Sequence, residues 1–126
     1  MSLILDAGAF IAIERRDLET TRMLRIERNA ERRPLTHGGV VGQVWRGGTA
    51  RQAVLAKLLP SVRIEPLDNE LGRRAGALLA RTGTSDVIDA AVVLLAKDGD
   101  WILTSDPDDL LPLVEAAGLH VDVIAV

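Results

Sequence analysis

Leu3-Ile4-Leu5-Asp6 opens the chain with three apolar residues that stop at an acid. So short and uniform a run predicts a strand buried on both faces, and the acid marks where it leaves the core. Outward from it the periodicity keeps changing. Ala7 to Glu14 predicts a short helix. Leu18 to about Arg32, with Leu18, Met23, Leu24 and Ile26 among many charges, predicts an exposed amphipathic one. Pro34-Leu35-Thr36 is a brief second strand. Val40, Val41, Val44 and Trp45 recur at helical spacing between Gly39 and Gly47, and Ala50 to Leu59 is a helix closed by Pro60. Val62 to Glu65 is a third strand, and Asn69 opens a helix ending near Gly83 with Leu71, Ala75, Leu78 and Leu79 along one face. Asp86 to Lys97 is a strongly apolar helix, Trp101 to Thr104 a fourth strand, Asp108 to Ala117 a helix that Gly118 stops, and Val121 to Val126 a fifth strand. Short strands separated by helices define an α/β fold: one domain over residues 1–126, with a central parallel sheet of about five strands and helices on both faces. No repeat or linker-like run divides it.

Composition narrows the chemistry. With 126 residues, 48% of them apolar, the chain can bury a real core. The net charge of −3 gives no global basic signal, so affinity for a polyanion has to come from local clusters. Among fifteen basic residues only Lys57 and Lys97 are lysines; the rest are arginines, suited to forked phosphate contacts and equally to surface ion pairs. Cysteine is absent, which excludes disulfides, thiolate metal sites and cysteine nucleophiles. His37 and His120 are the only imidazoles, so zinc is poorly served. Tyrosine is absent and the aromatics are Phe10, Trp45 and Trp101, which leaves few platforms for base stacking. No run reaches the roughly 18 apolar residues of a membrane span, and the N-terminus lacks a basic leader, so a cytoplasmic location is expected.

In a doubly wound sheet the functional groups gather beyond the carboxyl ends of the strands, where strand order reverses. Asp6 ends the first strand, Asp106 follows the fourth, and Asp89 lies in the first turn of the helix before the fourth. Carboxylates without histidine or cysteine are hard ligands suited to Mg²⁺ or Mn²⁺. Held together they repel unless a cation neutralises them, and such an ion activates water against a phosphodiester. Each acid also has a purely structural reading. Asp6 suits a helix cap, and so does Asp86 after Thr84-Ser85. Asp89, flanked by Ile88, Ala90 and Ala91, has less structural reason to be there. Of Asp106, Asp108 and Asp109, Asp108 is read as the cap of the last helix.

Four segments in order, Leu5-Asp6-Ala7-Gly8-Ala9-Phe10, Val41-Gly42-Gln43-Val44-Trp45-Arg46, Asp86-Val87-Ile88-Asp89-Ala90-Ala91 and Leu103-Thr104-Ser105-Asp106, together resemble the PIN domain, and in particular the VapC-type toxins of bacterial toxin–antitoxin pairs. Singly these motifs are short; their order and spacing over the whole chain make the likeness. It implies a PIN-like fold, an Mg²⁺- or Mn²⁺-dependent endoribonuclease, a homodimer, and a small cognate antitoxin of the VapB kind. By the same likeness Asp6, Asp89 and Asp106 correspond to the family's metal-binding acids and Thr104 to its supporting hydroxyl.

Two positions depart from the pattern. Gln43 stands where a glutamate is usual, and Gly8 where a serine or threonine often follows the first acid. Losing an anionic ligand weakens a hard-cation site. Asp86, one helical turn from Asp89, is the candidate replacement for that charge. Arg15, Arg16, Arg46 and Arg51 lie beside the site elements and can meet RNA phosphates, against the plainer reading of solvated surface. His37 is read as a turn or surface residue; Phe10 and Trp45 suit the core, a dimer contact or an antitoxin groove equally, core being the commoner fate of lone aromatics on apolar helix faces. Gly8 argues against an aspartyl-nucleophile phosphatase, which needs a second acid there. The alternative to a nuclease is a PIN-like module that has lost metal affinity through Gln43 and only binds RNA or an antitoxin-like partner.

Overall fold

The computed structural model describes residues 1–47 and 50–126. Five strands form one parallel sheet: β1 (Leu3–Leu5), β2 (Leu35–His37), β3 (Arg63–Glu65), β4 (Trp101–Thr104) and β5 (Asp122–Ala125). Their order is β3-β2-β1-β4-β5, so the chain winds outward from β1 in one direction and then returns to begin again at β4. The reversal falls between β1 and β4, paired Leu3 with Trp101, Ile4 with Ile102 and Leu5 with Leu103. Both central strands are buried, as their uninterrupted apolar runs require, while the edge strands β3 and β5 are largely open to solvent.

Helices α1 (Ala7–Glu14), α2 (Leu18–Asn29), α3 (Gly38–Val44) and α4 (Ala53–Leu58) group around α1. Helices α5 (Asn69–Thr82), α6 (Val87–Leu95) and α7 (Pro107–Ala116) form the other group. The α/β class, the parallel sheet and the helices on both faces are as the sequence predicts. Phe10 is fully buried in the core and Trp45 packs partly buried against it.

Several boundaries move, each for a local reason. Helix α2 stops at Asn29 rather than near Arg32. Glu31 takes a left-handed conformation (φ 58°), and the Arg32 N–H donates back to the Glu27 carbonyl at 2.9 Å, a helix-ending motif that usually shows itself by a glycine. Leu18, 82% exposed, contributes nothing to the core, whereas Thr20 and Glu27 are buried. Glu27 is held by a two-point contact from Arg32, Nε to Oε2 at 3.1 Å and Nη2 to Oε1 at 3.0 Å. The expected helix from Ala50 to Leu59 is short 3₁₀ turns, Ala50–Gln52 and Leu59–Ser61, flanking α4; Pro60 lies within the second turn instead of closing a helix.

Candidate functional site

The sheet delivers Asp6 to its carboxyl edge. The Asp6 N–H extends the β1–β4 ladder by donating to the Leu103 carbonyl at 3.0 Å, which sets Asp6 beside Thr104. Asp6 is 6% exposed and both its carboxylate oxygens are engaged: Oδ1 accepts from the Ala7 N–H (2.8 Å), capping α1, and Oδ2 accepts from Thr104 Oγ1 (2.8 Å). Capping and a site role therefore coexist in one side chain. Fully buried Thr104 bridges two acids, because its Oγ1 also accepts the Asp106 N–H at 3.0 Å.

Asp106 itself occupies the cap position of α7, correcting the assignment of that role to Asp108, which falls in the first turn. Its carboxylate makes no capping bond; Oδ2 instead receives the Ser105 hydroxyl at 3.3 Å, and the side chain stays open to solvent. The cap moves because Pro107, with its fixed φ and missing N–H, suits the first helical position.

Asp86 caps α6, with Oδ1 accepting from the N–H groups of Ile88 (3.0 Å) and Asp89 (3.1 Å). Its charge still reaches Asp89. Burial pushes the Asp89 carboxyl up to about 7, and the charges of Asp86, Asp6, Asp109 and Asp106 push in the same direction. Four carboxylates are thus gathered electrostatically around Asp89. The ion pairs among the described residues, Arg32–Glu27, Arg63–Glu65 and His120–Asp98, all leave them out. Asp109 is a member that sequence reasoning passed over; its spacing of three from Asp106, one helical turn, was the available signal.

The donor set is all oxygen and anionic, and none of the ion pairs among the described residues includes it, so its chemistry, though not its spacing, is of the kind that hard divalent cations take. The acids are neighbours in charge rather than in contact: among the described residues no three His, Cys, Asp or Glu side chains already stand close enough to hold a metal ion. Asp86, Asp106 and Asp109 are exposed, and Asp89 is half-buried.

His37 is fully buried, which corrects its reading as a surface residue. It ends β2 and caps α3, its Nδ1 accepting the Gly39 N–H at 3.0 Å, so Nε2 carries the proton and donates to the Ile88 carbonyl at 3.0 Å. Burial lowers its pKa, against smaller raising effects of that bond and of the Asp6 charge. The ring thereby ties the end of β2 to the first turn of the helix that carries Asp89. Gly39 goes with it, since a Cβ there would lie 2.8 Å from His37 Cε1.

Gly8 has a similar explanation. A Cβ at Gly8 would fall 2.5 Å from the Ser105 backbone nitrogen and 2.6 Å from its Cβ, so the loop carrying Asp106 closes over α1 only because residue 8 has no side chain. Gln43 is exposed on α3. Arg15 and Arg46 are exposed as well; Arg46 Nη1 turns back onto the carbonyls of Gly42 (2.9 Å) and Trp45 (2.8 Å), closing α3.

These features define a doubly wound α/β domain with a group of acids at the switch point of its sheet. One solved structure shares the fold over 98% of this chain and 99% of its own, with a TM-score of 0.69 and 12% identity: the crystal structure of VapBC2 from Rickettsia felis bound to a DNA fragment from their promoter. At that identity the likeness is one of fold. No protein-family model matches the sequence, and no curated protein matches it.

Proposed function

We propose that this protein is a metal-dependent endoribonuclease, using Mg²⁺ or Mn²⁺, and acts as the toxin of a bacterial toxin–antitoxin pair. The observation that carries the nuclease reading is the uncompensated group of Asp6, Asp86, Asp89, Asp106 and Asp109 beside the β1–β4 switch point. Asp6, Asp89 and Asp106 would hold the ion, with Thr104 fixing one oxygen of Asp6 and the backbone of Asp106. An ion held there would supply Lewis acidity toward a phosphodiester and toward an attacking water. Asp86 adds the charge that Gln43 does not. Asn caps helices as well as Asp does, so Asp86→Asn separates charge from capping. If Mn²⁺ affinity and RNA cleavage both survive that change, Asp86 is a cap and nothing more.

The test is incubation of purified, partner-free protein with structured RNA in Mn²⁺ and in EDTA. Cleavage in Mn²⁺ and none in EDTA is expected; cleavage that persists in EDTA overturns the metal mechanism. A second reading, a module that binds RNA or an antitoxin without cutting, is favoured by exposed Gln43 and by the unconverged acids. Absence of cleavage under any divalent ion selects it.

A groove of about 710 Å³ beside α2 and α4 has Leu24 and Leu58 in its floor and Arg25, Arg28, Arg33 and Lys57 around it. That chemistry suits an acidic amphipathic segment of an antitoxin. Homodimer formation and a cytoplasmic location belong to the same proposal. No helix among the described residues is long and apolar enough to cross a membrane.

A further inference from the structure

We propose that a second cavity, of about 440 Å³ and walled by Gly8, Ile11, Ala12, Arg15 and Ser105, is the subsite for one nucleotide of single-stranded RNA flanking the cleaved phosphate, with Arg15 meeting its backbone phosphate. The inference rests on the nuclease reading and specifies how the substrate lies. Gly8, Ile11, Ala12 and Arg15 follow one another at helical spacing, so they form a single face of α1. That face begins two residues after Asp6 and ends at an arginine, about 10 Å along the helix axis at 1.5 Å per residue.

Ser105 joins the cavity to the acids. It lines the cavity wall while its hydroxyl donates to Asp106 Oδ2 at 3.3 Å. The bare backbone of Gly8 is what lets Ser105 sit there. One end of the strip is therefore anionic, suited to a metal ion and the phosphate it activates. The other end carries the Arg15 guanidinium, suited to a neighbouring phosphate, with Val126 and the ionised Asp17 also in its lining. Between them Ile11, 40% exposed, and Ala12 offer an aliphatic floor on which a base or ribose can lie without sequence-specific contacts.

Arg15 is available for this task. It closes α1 through its backbone N–H, which donates to the Ile11 carbonyl at 3.1 Å, and its guanidinium joins none of the ion pairs among the described residues. Asp17, also at the rim, has its carboxylate committed to the N–H (3.0 Å) and hydroxyl (2.7 Å) of Thr20, where it caps α2. The volume lies within the usual range for pockets that take a small organic group.

The experiment measures binding of a labelled oligoribonucleotide to the full chain in EDTA by fluorescence anisotropy across a salt series, together with KM for RNA cleavage in Mn²⁺. Arg15→Ala is expected to weaken binding about fivefold to tenfold and to reduce the slope of log K against log salt by about 0.7, the value for one lost phosphate contact on a single strand. KM should rise by a similar factor, with Mn²⁺ binding unaltered. Arg15→Lys should keep the salt slope, and Ile11→Glu, at an exposed position, should weaken binding as Arg15→Ala does. Arg74→Ala, at the opposite edge of the sheet, is the control for general charge. If Arg15→Ala changes neither salt slope nor KM, or if Arg74→Ala does as much, the subsite is wrong and the nuclease reading stands. A wild-type protein that neither binds nor cuts RNA overturns both.

Discussion

Asp6 follows β1 at the carboxyl edge of the sheet and Asp100 precedes β4 at the amino edge, and each is 6% exposed. Asp100 closes a purely backbone latch: Oδ1 accepts the Ser2 N–H at 2.7 Å and Oδ2 the Lys97 N–H at 2.8 Å, so both oxygens are spent on holding the chain entries to β1 and β4. Asp6 caps a helix with one oxygen and engages Thr104 with the other, and its charge also bears on Asp89. Two aspartates of equal burial thus differ in company. Backbone N–H groups satisfy one, while the other belongs to a set of acids that lacks a counter-ion. A buried acid becomes a functional candidate through what surrounds it, and burial alone does not separate the two cases.

Substitution should drive that difference apart. Asp6→Ala is expected to lower RNA cleavage by about 10²-fold or more, as losing a principal electrostatic group in an active site does. Its unfolding midpoint in denaturant should show that the folded state persists. Thr104→Val, which removes only the hydroxyl linking Asp6 and Asp106, should cost roughly 10- to 100-fold in activity or Mn²⁺ affinity, the usual penalty for losing a group that orients a ligand. Asp100→Ala should do the reverse: a loss of about 2 kcal/mol in stability, read from urea titration, with cleavage per folded molecule retained.

A smaller effect should appear in pH. In EDTA the folded chain keeps a proton on Asp89 that the unfolded chain has already released, between the ordinary aspartate value of 3.8 and about 7. Stability should therefore fall as pH rises through that window. Melting temperatures from pH 5 to 8 test this; Asp89→Asn should flatten the trend, and Mn²⁺ should oppose it. His37, whose pKa burial lowers, acts in the opposite sense below its ordinary value of 6.5, so the test is the difference between wild type and Asp89→Asn; identical pH trends in the two would mean that Asp89 does not hold the proton. The mildest change is Gln43→Glu, which should tighten Mn²⁺ binding severalfold by restoring an anionic ligand if α3 borders the ion. Isothermal titration would register it, and an unchanged affinity would remove Gln43 from the site.

Much of this was readable beforehand. The apolar runs at Leu3–Leu5 and Trp101–Leu103 read as buried strands by their shortness and their polar flanks, whereas the longer run from Ala90 to Leu95 lies in helix α6. Helix α1 begins after an acid and α5 ends before Gly83, and both bounds follow from those caps. Less legible were features whose signals are not local. The left-handed Glu31 ends α2 without a glycine to announce it. His37 reads as an ordinary turn residue until burial and the Ile88 carbonyl, 51 positions away in sequence, give it two partners. Gly8 seemed a departure from pattern, and its cause lies in Ser105, a residue from the far end of the chain.

The sequence by itself determined the alternation of strands and helices and which residues are acids at strand ends, because periodicity and caps act over a few residues. Only the tertiary structure decided which acids share a field. Parallel pairing of β1 with β4 brings Asp6 against Thr104 across 98 positions, and the packing of α6 and α7 adds Asp86, Asp89, Asp106 and Asp109. Mutual repulsion among these carboxylates, and the want of a cation it creates, depends on distance in space, which no local pattern encodes.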